Sequence, residues 1–198
     1  MWAGASMVGM SIIRTPSPED VTGLASQIYA DDLEDLGYVP EHTRVMAVNP
    51  EAYLAWEALI TAIAKPMGSR RYELVTLAAA RGARSEHCLL AHGNRTLRYI
   101  DEDQLTRIAR DFHDAGITEA EVAMMDFAEK VSTASSSMTD ADSQALRDHG
   151  FSDREIVDIA LAAAARNYFS RAIQALGVAV DVPAELPAGL REALVSAL

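Results

Sequence analysis

The feature that most constrains the fold of this chain is an apolar, alanine-rich segment that occurs twice. Glu73-Leu74-Val75-Thr76-Leu77-Ala78-Ala79-Ala80 reappears 82 residues later as Glu155-Ile156-Val157-Asp158-Ile159-Ala160-Leu161-Ala162. The same register aligns Gly68 with Gly150 and Arg84 with Arg166. Alanine is abundant and is the strongest helix former, so each copy reads as helix. Two helical hairpins of the same kind, packed on each other, would bury both apolar faces.

The rest of the chain carries helix start and stop signals. Thr15-Pro16-Ser17-Pro18-Glu19-Asp20 is a helix-entry signal, and Val21, Leu24, Ala25 and Ile28 follow at helical spacing up to Gly37. Val39-Pro40 then opens a loop. Asn49-Pro50 starts a helix that runs to about Pro66-Met67-Gly68, with Asn49 as cap. A helix from Ser69 to Arg81 stops at Gly82, and Ser85 caps another from Glu86 to about Tyr99. Further helices start at Asp101, Thr118 and Thr139, the last stopped by Gly150. Two more are expected over 152–165 and 167–176, and a final turn or two over 190–198. No segment alternates as a strand would. The expected fold is all-α: a tail over residues 1–17, then a single domain over 18–198.

Composition narrows the partners. The net charge of −12 argues against nucleic acid or an anionic membrane. No apolar stretch approaches the length needed to span a bilayer. The mildly apolar start, Met1 to Met10, lacks the basic region of a signal peptide and reads as a loose tail or an oligomer contact. The single cysteine, Cys88, cannot form an internal disulfide, and the default location is the cytoplasm.

Cys88 is also where chemistry concentrates. Cys88 and His92 are four residues apart, so on a helix they share a face. With Ser85 as the cap, Cys88 lies in the first helical turn, where the dipole and unpaired N–H groups favour an anion. Glu73 lies nine residues before Gly82, and His92 lies seven after Ser85. At about 1.5 Å per residue the two reach similar heights in an antiparallel hairpin. A linear proton relay of Cys88, His92 and Glu73 follows, joined directly or through one water. His87 projects about 100° away from Cys88 and is a secondary candidate. The second copy has Asn167, Ser170 and Gln174 where the first has Ser85, Cys88 and His92, so the chemistry is expected in the first copy alone. A buried, inert cysteine is the plainer reading of the same residue. A metal held by Cys88, His87 and His92 is disfavoured: only two of them share a face, and a structural zinc site needs four ligands. No metal and no cofactor is expected.

Arg71-Tyr72-Glu73, followed by Ser85-Glu86-His87-Cys88-Leu89-Leu90-Ala91-His92-Gly93, resembles the carboxymuconolactone decarboxylase and AhpD-like alkylhydroperoxidase family. That family's motif is a glutamate, a Cys-x-x-Cys pair 12 and 15 residues later, and a histidine 4 further on. Glu73, position 85, Cys88 and His92 fit every spacing. His87 matches a histidine found before the second cysteine in some members. The later segments around Gly150–Ile156 and Asn167–Arg171 look like the second half of the peroxidase-related branch, and the resemblance covers roughly residues 20 to 180.

The resemblance implies an all-helical bundle forming homo-oligomers, trimers or hexamers, with a dimer also open. It implies reduction of a hydroperoxide or other small molecule by a thiol. Cys88 would be the peroxidatic thiol, His92 would take its proton, Glu73 would complete the relay, and His87 would support. The departure is Ser85, which stands where the first cysteine of the pair belongs. Without it, oxidised Cys88 has no internal thiol to resolve it, so an external thiol or thiol protein must reduce it. Two alternatives stay open: a decarboxylase-like acid–base enzyme using His92 without the thiol, and a non-catalytic structural or sensing protein.

Overall fold

The computed structural model describes residues 11–196 and Leu198, and the expectation for Met1 to Met10 lies outside these residues. The described chain is all-α: α1 (Leu24–Leu36), α2 (Glu41–Met46), α3 (Pro50–Met67), α4 (Ser69–Gly82), α5 (Glu86–Thr96), α6 (Glu102–Arg110), α7 (Glu119–Ala134), α8 (Asp140–Asp148), α9 (Asp153–Ala175) and α10 (Ala188–Val195). It divides into two compact units, one of residues up to Trp56 with Ala172–Asp181, the other of Glu57–Arg171 with Val182–Leu198.

In the first unit α1 packs on α2. The first helix starts later than its entry signal: Gly23, at φ +67°, sits outside helical space, and the chain becomes helical only from Leu24. The sequence reading placed a loop after Val39-Pro40, and the structure has α2 there instead. Pro40 has no side chain that can cap, so the cap comes from far along the chain: the Asp181 carboxylate accepts the Glu41 N–H at 3.0 Å.

In the second unit α4 is central. Tyr72 to Ala80 are nine consecutive buried residues, and α5 and α7 pack against them. A helix apolar all round can only be stable inside a protein. Gly82 does not stop this helix. It is α4's last residue, and a Cβ there would lie 2.7 Å from Ser132 Cβ and 3.1 Å from the Glu129 carbonyl oxygen of α7. The left-handed residue at the turn is Arg84, φ +53°. Gly82→Ala improves helix propensity by about 1 kcal/mol, yet it must separate α4 from α7, at a cost of about 1–3 kcal/mol. A net loss of stability is expected on urea denaturation, and a gain would show that the two helices yield freely.

The two repeat copies fold differently. The first is the α4–α5 hairpin, while the second is not a hairpin or two helices: α9 runs unbroken through Arg166 and Asn167. No glycine interrupts that stretch. The Asn167 side-chain NH2 finds its acceptors without leaving the helix, donating to the Ala163 carbonyl at 2.9 Å and to Ser132 Oγ at 2.7 Å. Elsewhere the local signals place the elements well. Asn49, Asp101 and Thr118 each accept a backbone N–H from their own first turn, and Asp142 accepts the Thr139 N–H. The closing helix is α10, which packs on α5 and α6.

Candidate active site

Ser85 is the N-cap of α5, and its Oγ accepts the Cys88 N–H at 3.4 Å. Its own N–H donates to the Ala80 carbonyl, which ties the cap to the end of α4. Cys88 therefore lies in the first turn of α5, and only 1% of it is exposed. Its sulfur accepts hydrogen bonds from two α9 side chains: Ser170 Oγ at 3.2 Å and Arg166 Nη1 at 3.7 Å. Both of these are buried as well.

One turn further along α5, His92 Nδ1 lies 2.6 Å from Glu73 Oε2 of α4, a direct hydrogen-bond contact. Burial is the largest influence on His92. Together with the Arg166 charge it outweighs Glu73 and pushes the imidazole pKa down to about 4. His92 is thus neutral at neutral pH. Burial works against the Glu73 charge, but His92, Arg95 and Arg166 outweigh it and hold the carboxyl below its ordinary range. A carboxylate can only accept, so Nδ1 carries the proton of the neutral ring and Nε2 is left as the acceptor. Burial likewise opposes the Arg166 charge, yet Cys88 and Tyr72 beside it hold the guanidinium more firmly than usual. The Tyr72 ring meets the His92 ring edge-on, with centroids 6.4 Å apart.

The structure thus brings Glu73 and His92 into direct contact, and Ser85 and Cys88 likewise. It does not join Cys88 to His92 by a hydrogen bond. His87 is buried at the second position of α5, and the hydrogen bonds of Cys88, His92 and Glu73 do not include it. Sequence reasoning looked to the first repeat copy alone and missed Arg166 and Ser170. The signal was present in the repeat itself, because Ser170 is the register equivalent of Cys88, and these two positions touch. An apolar cavity of about 20 Å³, lined by Leu77, Leu89, Phe112 and Met125 among others, has room for about one water.

No protein-family model matches the chain, and no curated protein does. Solved structures do. An alkylhydroperoxidase AhpD core, an uncharacterized peroxidase-related protein from Ralstonia eutropha JMP134, is 26% identical with a TM-score of 0.77, over 86% of this chain and 92% of that one. An uncharacterized peroxidase-related protein from Silicibacter sp. TM1040 is 24% identical with a TM-score of 0.76, over 89% and 96%. The debrominase Bmp8, in complex with 2,3,4-tribromopyrrole, is 17% identical with a TM-score of 0.71, over 96% and 100%, a likeness of fold.

Proposed function

This chain is AhpD-like, and we propose that it is a peroxidase-related oxidoreductase that reduces a small hydroperoxide through Cys88 and is recycled by an external thiol. The observation that carries this reading is the setting of the sulfur. It sits at a helix start against a guanidinium and a hydroxyl, and His92, hydrogen-bonded to Glu73 of α4, lies one turn along the same helix. A structural cysteine needs none of these groups.

The chemistry runs in two stages. The Cys88 sulfur, as thiolate, attacks one peroxide oxygen, and the O–O bond breaks. Cys88 becomes a sulfenic acid, and the second oxygen takes up a proton and leaves as the alcohol. His92 Nε2 is the group that accepts and returns that proton, and Glu73 holds the ring in the tautomer this requires. With serine at position 85, no internal thiol condenses with the sulfenic acid. An external thiol forms a mixed disulfide with Cys88 and releases water, and a second thiol displaces the free Cys88 as a disulfide forms. His87 has a supporting role only. Burial of the sulfur favours a small peroxide over a bulky one.

The same burial is the specific observation behind a second reading, in which Cys88 is an unreactive core thiol. The debrominase shows that this fold also hosts other chemistry. Treating the native protein with one equivalent of hydrogen peroxide and a dimedone probe decides between them. A sulfenic-acid adduct on Cys88 supports the proposal, and a sulfur that stays unlabelled until the protein unfolds favours the core thiol.

Self-association is part of the proposal. Val157, Leu161 and Tyr168 form an exposed apolar stripe on α9, with Arg154 and Arg171 also exposed along it. A chain of net charge −12 repels its copies, so contact between them needs such a stripe. Light scattering is expected to give the mass of a homo-oligomer, and Leu161→Asp is expected to lower it. An unchanged mass would remove this surface from the assembly.

A further inference from the structure

We propose that Arg166, rather than a protonated His92, is the counter-cation of the Cys88 sulfur, and that Ser170 fixes the sulfur against it. The inference deepens the reading above and rests on Cys88 being the reacting thiol. It makes Arg166 a catalytic residue, since its guanidinium touches the reacting atom.

A cysteine–histidine pair can hold negative charge on sulfur by passing the thiol proton to the imidazole. Here the geometry separates those roles. The two hydrogen bonds on the Cys88 sulfur come from Ser170 Oγ and Arg166 Nη1, both on α9, and neither comes from His92. His92 Nδ1 is turned away to Glu73. Cys88 and Tyr72 act on the Arg166 guanidinium, while Arg166, Glu73 and Arg95 act on His92, the titratable group one turn along α5 from the sulfur; His87, on α5 beside Cys88, is buried as well. The Glu73 carboxylate is engaged by His92. The guanidinium is charged at every accessible pH, and a second cation on His92 would repel it in a buried setting where Coulomb terms are large. The downward push on His92 that its burial and Arg166 exert agrees with this placement.

The consequence for the reaction is a division of labour. Arg166 balances the sulfur before attack. As the S–O bond forms and the O–O bond breaks, negative charge moves from sulfur to the departing oxygen, still within the field of the same guanidinium. The proton lost when the thiol ionises has gone to solvent, and one proton returns from solvent through His92 Nε2 to this oxygen, so His92 is neutral before and after the step. The repeat explains how the fold provides the cation: Arg166 is the equivalent of Arg84, but it lies in an unbroken helix that carries it inward.

The test measures how fast Cys88 is alkylated by iodoacetamide across pH, alongside its oxidation by hydrogen peroxide, in the folded full chain. Arg166→Met is expected to slow alkylation at pH 7 about tenfold, the factor that one pH unit carries, and to move the rise in reactivity to higher pH. Arg166→Lys is expected to recover most of the rate. His92→Gln is expected to keep the alkylation profile and to slow only the peroxide step. An Arg166→Met profile matching wild type, or a profile lost in His92→Gln, overturns the inference. If Arg166→Met does not fold, Ser170→Ala carries the test: slower alkylation supports the clamp, and a wild-type rate and profile overturn it. Should alkylation behave as expected while peroxide leaves the sulfur untouched, the peroxidase reading fails and the counter-cation stands. A wild-type sulfur inert to both reagents until unfolding overturns both.

Discussion

Cys88→Ser is expected to abolish thiol-dependent turnover of hydrogen peroxide or a small organic hydroperoxide. Serine matches cysteine closely in size, and an oxygen at this position can still accept from Ser170 and Arg166, so the fold should survive. What serine lacks is a polarisable nucleophile that peroxide can oxidise: a hydroxyl forms no counterpart of a sulfenic acid and cannot be recycled by a thiol. The loss therefore removes the whole catalytic cycle rather than one contribution to it. The measurement is steady-state peroxide consumption with dithiothreitol as reductant, beside a circular dichroism control. Full activity in this variant would end the peroxidase reading. A different activity that survives thiol alkylation but is lost in His92→Ala would move the assignment to acid–base chemistry on the same fold.

Acidification is expected to destabilise the fold between pH 6.5 and about 4, and His92 is the main cause. Its folded pKa of about 4 lies below the unperturbed value of 6.5. The unfolded chain therefore binds this proton first as pH falls. Stability from keeping His92 neutral is fully present above 6.5 and is lost on descent toward 4. A shift of that size corresponds to about 3 kcal/mol. Glu73 acts in the same direction at lower pH: its folded pKa is lowered, so its contribution is present above its usual range and disappears as pH falls through the folded value. His113 has the opposite sign. Burial works against its charge, but Asp111 and Asp126 outweigh it and raise its pKa, so its contribution is lost as pH rises. Since its side chain is more than half exposed, that effect is screened and small. Urea midpoints across this window test the expectation. His92→Gln can keep a hydrogen bond to Glu73 without titrating, so its curve should be flatter than wild type. Equal slopes in the two proteins would mean that other groups drive the acid transition.

Much of the site could be read from one stretch of chain. The spacing of Ser85, Cys88 and His92 is a property of one helix, and the height of Glu73 follows from the helical rise on either side of a short turn. The direct Glu73–His92 contact at 2.6 Å is a consequence of that geometry. The groups on the sulfur were not legible in the same way. Sequence comparison of the two copies aligns Cys88 with Ser170, but alignment says only that two positions are equivalent, not that they meet. That Ser170 and Arg166 face Cys88 depends on how α9 packs in its unit and on α9 staying whole through Asn167.

What the sequence determined by itself is the all-α class, the starts of most helices and the shared face of Cys88 and His92. Each rests on residues within about four positions of one another, where backbone geometry alone fixes the distance. What only the tertiary structure decided are the interactions that span the chain. The cap that makes α2 a helix is Asp181, 140 residues from the N–H it accepts. Gly82 serves a close approach to α7, not a helix stop. The cation beside the sulfur comes from 78 residues away. None of these leaves a local pattern, because a hydrogen bond or a close contact depends on where two segments come to lie. That position is set by burial of the core as a whole.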